Sequence, residues 1–328
     1  MSDTARTVAG KAFTVADTQP GRRVSPRGSA FDYAFQALCF AAATALLASL
    51  GGVLVSLAIG GWPVLSKFGF GFLTGKTWDP VRDIYGAAGP IVDTIITSAI
   101  ALLLSLPVAG GVAFFLTELC PSFLKRPIGT AVELLAGIPS IVYGMWGLFV
   151  FAPFFAAKVE TPLMSAAPPG SMWETLFSGI PNGSGILSAS IILAIMILPF
   201  MAATLRELLN TVPAQVRESA YGLGATTAEV VLKVTLPYVR RGAIGAVMLG
   251  LGRALGETMA VTFIIGNSHD FPKGLFDSGA TIASTIANEF NEASGLQASA
   301  LIALGLVLFV LTFFVLALAR LLLRNPEA

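Results

Sequence analysis

Residues 252–261 read Gly252-Arg253-Ala254-Leu255-Gly256-Glu257-Thr258-Met259-Ala260-Val261, inside an apolar run, Gly242–Ile265, that is long enough as a helix to cross a bilayer. Arg253 stands eleven residues into that run, which puts it roughly 16 Å along the helix and near the bilayer midplane. An arginine at that depth costs about 2.5–3.5 kcal/mol to insert. The composition of the whole chain decides whether the run is a membrane helix. Of 328 residues, 55% are hydrophobic and only 12% are charged, against about 25% charged in soluble domains. Mean hydropathy is +0.79. The chain reads as an all-α integral membrane protein.

Working outward from that run, six segments are long and apolar enough to span: Tyr33–Ile59, Ile91–Leu116, Ile128–Phe155, Gly185–Leu205, Gly242–Ile265 and Ser299–Leu323. Pro107, Pro139 and Pro199 fall inside three of them, where kinks are tolerated because neighbouring helices satisfy the freed backbone groups. If the N-terminus is inside, fourteen of the twenty Lys and Arg residues lie in inner segments and five in outer loops, with Arg253 the twentieth. That bias places both termini in the cytoplasm. Residues 1–30 are polar, without apolar periodicity, and read as a mobile cytoplasmic tail ahead of a permease domain over 31–328. Outer residues 60–90 and 156–184 read as capping loops, and Ile282, Ile286, Glu289 and Phe290 have the spacing of a short outer helix.

Within the fifth span Glu257 follows Arg253 at i+4, so a continuous helix would let the two pair and offset part of the burial cost. Gly245, Gly252 and Gly256 fall on one stripe, which predicts close packing of that face against a neighbouring helix. Three readings of the charges compete: an ion pair that fixes helix register, an anion site in which the guanidinium fork meets phosphate-like oxygens, and a proton relay through Glu257. The relay lacks continuation, because Asp93 lies near the outer end of the second span.

The inner loop 206–241 carries a second signal. Val216, Ala220 and Leu223 pattern one helix, ending at Gly224, which suits a left-handed cap. Val230, Val231 and Val234 pattern a second, ending before Leu236-Pro237, with Thr226 or Thr227 as its N-cap. The pair reads either as a loop folded on its own bundle or as an amphipathic docking element for another protein.

Glu218-Ser219-Ala220, then Gly224, Val234 and Leu236-Pro237, resembles the EAA motif of ATP-binding-cassette importer permeases at every spacing, with Ser219 and Val234 as departures. Arg253 to Val261 followed by Ile265-Gly266-Asn267, with Phe115-Leu116-Thr117-Glu118-Leu119 and Gly137-Ile138-Pro139-Ser140-Ile141-Val142-Tyr143-Gly144, resembles the phosphate importer permeases of the PstC type over roughly 31–324. The resemblance implies a type I ABC importer permease fold and inorganic phosphate as substrate. It implies a PstA-type sister permease, two PstB-type ATPase subunits and an extracytoplasmic phosphate-binding protein, in a prokaryotic inner membrane. Glu218, Ser219, Ala220, Gly224, Val234, Leu236 and Pro237 would then couple to the ATPase, and Arg253, Glu257 and Thr258 would line the substrate pathway. ATP and magnesium would bind the partner ATPase, so this chain is expected to hold no cofactor and to catalyse no reaction.

Other chemistry is poorly supported. Gly75-Lys76-Thr77 resembles the end of a P-loop, but Phe70 stands where its first glycine belongs. His269 is the sole histidine, too little for a metal cluster, and by this topology it lies outside the membrane, away from a Ser–His dyad with Ser184; no nucleic-acid partner is expected. Asp270, Asp277, Glu289 and Glu292 read as solvated outer charges. The alternatives that remain are an ion-coupled secondary transporter and a related permease for another oxyanion or for phosphonates.

Overall fold

A computed structural model describes residues 27–322, with side chains from 31 to 321. Most of the predicted tail lies outside the described residues, and its last four residues, from Arg27, already belong to the first helix. That helix, α1 (Arg27–Phe68), runs through the boundary between two units, one ending at Leu54 and the other beginning at Val55. The features below belong to the second unit.

After α1 come α2 (Gly71–Thr74), the antiparallel pair β1 (Trp78–Asp79) and β2 (Ile84–Tyr85), and α3 (Ala88–Phe114), which a π-type turn over Phe115–Leu119 closes. Then α4 (Ser122–Ala136) is followed by α5 (Ser140–Trp146), α6 (Ala152–Phe155) and α7 (Thr161–Ala166), joined by π-type turns into one rod from Ser140 to Ala166. The remaining elements are α8 (Met172–Leu176), α9 (Ile186–Asn210), α10 (Ala214–Gly222), α11 (Thr227–Glu229), a π-type turn Val230–Thr235, α12 (Leu236–Leu255), α13 (Met259–Ile264), α14 (Ile282–Glu289) and α15 (Gly295–Leu322).

Among the described residues five helices are long and apolar enough to cross a membrane: Phe31–Phe68, Ala88–Leu119, Ser140–Ala166, Ile186–Asn210 and Gly295–Leu321. Three predicted spans differ from the reading of the sequence. The first runs on to Phe68, nine residues past Ile59, through residues read as the start of an outer capping loop. The third is cut at Gly137–Pro139, because a proline disfavours helical backbone in the residue before it; the crossing rod starts at Ser140 and runs on through residues predicted as outer loop. The fifth is cut between Leu255 and Met259 into α12 and α13. Pro107 and Pro199 stay inside α3 and α9.

α9 is the central rod, with both faces buried along most of its length. Small residues let α3 close on it: Ala101, Ala109 and Ala113 lie in one core cluster with Ala189, Ala194 and Ala202. A second cluster joins Val64 of α1 and the β1–β2 hairpin to Ala300, Leu301 and Leu304 of α15. There Gly61 lies against Ala303, where an added Cβ would fall 3.0 Å from the Ala303 Cα, and Ser299 Oγ donates to the Gly60 carbonyl at 2.6 Å.

The loops sort to two ends. At one, Gly179 bridges Phe276, Gly266 bridges Gly279, and Glu289 of α14 accepts from Trp78 Nε1 at 3.0 Å and Gln297 Nε2 at 3.0 Å while meeting His269 Nε2 at 2.6 Å. α14 is the predicted outer helix, capped by Thr281, whose Oγ1 accepts from Ser284 N–H at 3.1 Å. Glu289 is therefore not the solvated charge expected. Burial pushes its carboxyl up, but the hydrogen bonds from His269, Gln297 and Trp78 outweigh that and hold it below the usual range. Asp277 also differs, since its Oδ2 accepts the Lys273 and Gly274 amides at 2.8 and 2.9 Å. The other end gathers the turn Phe115–Leu119, α4 and the α10–α11 loop.

Candidate functional site

The GRALGETMAV stretch does not continue as one helix. α12 stops at Leu255, and Gly256 takes φ −96° and ψ 4° as its cap. Thr258 (φ −109°, ψ −68°) opens α13. Glycine has little helix propensity and weakens the run at that point. The break turns Glu257 away from the turn that carries Arg253: Glu257 Oε1 accepts from the Ala260 amide at 3.2 Å and so caps α13. The predicted Arg253–Glu257 ion pair is absent among the described residues, because the i,i+4 geometry it needs exists only on an unbroken helix. Thr258 Oγ1 donates to the Gly256 carbonyl at 3.3 Å, and its own carbonyl accepts from Thr262 Oγ1 at 2.7 Å, so Thr258 shapes the break.

Arg253 instead lies over the Phe200 ring of α9, 5.5 Å from the centroid. It is half-buried, and its Nε is buried with no hydrogen-bond partner among the described residues. A buried donor left unpaired costs about 1–3 kcal/mol. Arg253 is thus a cation steered by an aromatic face, with donor capacity its own chain does not use.

A second interrupted helix meets the first. Gly137 caps α4, Pro139 opens α5, and Tyr143 Oη reaches across to donate to the Leu135 carbonyl at 3.0 Å. Gly144 on α5 touches the α13 backbone: an added Cβ would lie 3.0 Å from Ala260 Cα and 3.1 Å from the Met259 and Ala260 carbonyl oxygens. The predicted glycine stripe is not used this way within the chain. A Cβ added at Gly245 would meet no neighbouring element within 4 Å, and one added at Gly252 would meet only Leu316, at 3.8 Å. The face of α12 that approaches α9 carries Gly242 and Gly250, where an added Cβ would fall 2.7 Å from Leu208 Cδ2 and from Met201 Sδ respectively, because the buried side is set by Val239, Ala246 and Ala254. Sequence reading missed Phe200 as the neighbour of Arg253; the GIPS stretch was visible, but the apposition of Gly144 to α13 was not.

Two acidic side chains are buried, and one of them, Glu160, differs from expectation. Glu160, read as outer loop, is fully buried in the rod, and its Oε2 accepts from the Gly183 amide at 2.7 Å. Asp93 is 1% exposed, and its Oδ2 accepts from the Ala280 amide at 2.8 Å. Beside it Thr94 Oγ1 accepts from Ile282 N–H at 2.9 Å. Both acids fasten loops to membrane-length helices.

At the opposite end the loop folds as two helices. Pro213 opens α10, Gly224 takes φ +85°, and the Ala225 amide bonds the Ala220 carbonyl at 3.2 Å. Thr226 and Glu229 form a capping box, with Glu229 N–H to Thr226 Oγ1 at 3.4 Å and Thr226 N–H to Glu229 Oε2 at 3.1 Å. The Thr226 amide first, then Lys233 and the Thr226 hydroxyl, hold the Glu229 carboxyl down at about 2. The second helix does not end before Leu236-Pro237. It passes through the π-type turn holding Val234 into α12, with Pro237 in the first turn, where the missing amide is tolerated. Glu218 and Ser219 are exposed, Ala220 is half-buried, and Leu223 is 90% exposed, so α10 displays an apolar edge with no covering side chain from its own unit. The structure thus gathers the loop residues at one end and Arg253, Glu257 and Thr258 at the helix break.

Residues 84–326 match the family described as binding-protein-dependent transport system inner membrane component. The chain is 54% identical over 278 residues to "Phosphate transport system permease protein PstC" of Pasteurella multocida (strain Pm70), covering 85% of this chain and 87% of that one. It is 54% identical over 298 residues to the protein of the same name from Mesorhizobium japonicum, covering 90% and 91%. "Phosphate transport system permease protein PstC 1" of Mycobacterium tuberculosis is 39% identical over 269 residues, covering 80% of each chain. In fold the chain is similar to a solved chain from "Inward facing conformations of the MetNI methionine ABC transporter", with a TM-score of 0.52, 17% identity, and coverage of 76% of this chain and 96% of that one.

Proposed function

The chain belongs to the binding-protein-dependent transport system inner membrane component family and to its PstC branch, and from that premise we propose that it is the permease subunit of an ATP-driven phosphate importer. It is a multi-pass membrane protein and a transport component, and in this reading it catalyses no reaction itself. In this reading α12 and α13 together make the sixth crossing, both termini face the cytoplasm, and the α10–α11 loop points inward, in keeping with the Lys and Arg distribution. A PstA-type sister permease completes the passage, two PstB-type ATPase subunits bind ATP and magnesium below it, and an extracytoplasmic binding protein delivers phosphate from above.

One observation carries the site: the buried, unpartnered Nε of Arg253 at a helix break. A planar guanidinium offers several N–H donors in a fork that fits phosphate oxygens. The Phe200 ring orients the cation without neutralising it, as a carboxylate would. Glu257 and Thr258 act at one remove: they hold the ends of α12 and α13 apart, so that the cation reaches the passage instead of pairing within its own helix. Glu218, Ser219, Ala220 and Gly224 present α10 to the ATPase, while Val234, Leu236 and Pro237 join that loop to α12 without a break, so motion of the loop reaches the helix that bears Arg253.

The test is uptake of labelled phosphate by the complete complex in proteoliposomes. Arg253→Gln and Arg253→Lys should both lose uptake, the second because an ammonium lacks the fork, while the complex still assembles. Normal uptake by an assembled Arg253→Gln complex would refute the pathway role. Competition by sulfate and phosphonate separates phosphate from related oxyanions, and uptake without an ATPase subunit would point to ion coupling instead.

A further inference from the structure

We infer that the ion pair between Glu118 and Arg217 is the positioning link through which the α10 loop moves α3; this rests on the reading that α10 docks on an ATPase. Glu118 belongs to the π-type turn that closes α3, and Arg217 directly precedes Glu218 on α10. Arg217 Nη1 lies 2.9 Å from Glu118 Oε1, with side chains 22% and 7% exposed. The pair joins residues 99 positions apart, whereas the Lys233–Glu229 pair is exposed and spans one helical turn.

Both ends of the contact are held. Arg217 Nη2 donates to the Val212 carbonyl at 3.5 Å, and Val212 is buried in the core cluster that contains Ala109 and Ala113 of α3. On the other side Lys125 Nζ donates to the Thr117 carbonyl at 2.6 Å, one residue from Glu118. A largely buried ion pair adds little stability over an apolar contact, but it is directional and costly to break from one side. Wide turns of this kind are rare overall, and those that occur are frequently at functional sites.

α3 then runs unbroken from Ala88 to Phe114 along α9 to the outer end, where Asp93 and Thr94 bind the amides of Ala280 and Ile282. A displacement of α10 therefore has a continuous path: Arg217 to Glu118, Glu118 to the α3 rod, and the rod to the loop that leads into α14. Without the ion pair, α10 could move on its docking partner while α3 stayed in place.

The experiment measures phosphate moved per ATP hydrolysed by the complete complex in proteoliposomes. If the unmodified complex neither hydrolyses ATP nor moves phosphate, the underlying reading fails, independently of the pair. Given a working complex, Glu118→Gln and Arg217→Gln should each keep ATP hydrolysis while the ratio falls about ten-fold. The double exchange Glu118→Arg with Arg217→Glu should restore the ratio to within about three-fold, a rescue expected only of residues that act as a pair. A single variant with the normal ratio, or an exchange no better than the singles, overturns the inference. If the neutral variants do not assemble, Arg217→Lys keeps the charge but loses the fork and its second contact. A lowered ratio there supports the link, and an unchanged ratio overturns it.

Discussion

Gly144 gives the sharpest test of the broken-helix site. Replacing it with alanine puts a methyl 3.0 Å from Ala260 Cα and 3.1 Å from two carbonyl oxygens of α13. Carbon contacts settle near 3.5–4.0 Å, so α5 and α13 must part by roughly 0.5–1 Å. The atoms met are backbone, so no side chain can rotate away. Overpacking of this kind costs about 1–3 kcal/mol, while exchanging glycine for alanine inside a helix returns about 1 kcal/mol. Gly111→Ala supplies the comparison: Gly111 is an exposed helical residue of α3 with nothing within 4 Å, so only the gain applies there. The two variants should therefore differ by about 1–3 kcal/mol in stability. Gly144→Val, which adds bulk without the alanine advantage, should fall further. Thermal unfolding of the purified complex measures the first effect. Phosphate uptake measures the second, because parting α13 from α5 shifts Glu257 and the break beside Arg253. If Gly144→Ala matched Gly111→Ala in both assays, the apposition of the two half-helices would be wrong.

Glu160→Ala should destabilise the protein by about 1–3 kcal/mol, because the Gly183 amide would lose its carboxylate acceptor in a buried site; proteolysis near Gly183 is the readout, and unchanged resistance would argue against that fastening. Glu229 predicts a pH dependence. Its carboxyl falls from 4.5 to about 2 in the folded loop, so its contribution is complete above about 4.5 and is lost as pH falls toward 2. Protection of the Thr226 and Glu229 amides from hydrogen exchange, taken relative to the intrinsic rate at each pH, should fall as pH drops across that window, and Glu229→Gln should remove the dependence; constant protection in the unaltered chain would contradict the capping box.

Much of the inner loop was legible because its determinants are local. Gly224 takes the left-handed cap that its position suggested, and Thr226 caps the next helix, since each requirement is met within a few residues. The end expected at Leu236-Pro237 was misread because a proline that stops an ordinary helix is accommodated in the first turn after a π-type segment. The pairing expected of Arg253 with Glu257 failed for a related reason. It assumed an unbroken helix, and Gly256 supplied the break. Glu289 and Glu160 were misread because charge in a loop-like stretch gives no sign of the amides and side chains that fold back on it.

The amino-acid sequence by itself determined the membrane class, three of the apolar rods to within several residues, and the motif-bearing loop, because hydropathy and capping add up over neighbours along the chain. Only the tertiary structure decided where the rods are interrupted, that Arg253 rests on Phe200, that α5 meets α13 at Gly144, and that Glu118 holds Arg217. Those contacts join residues dozens of positions apart, and a buried charge takes whichever partner the packing brings within reach.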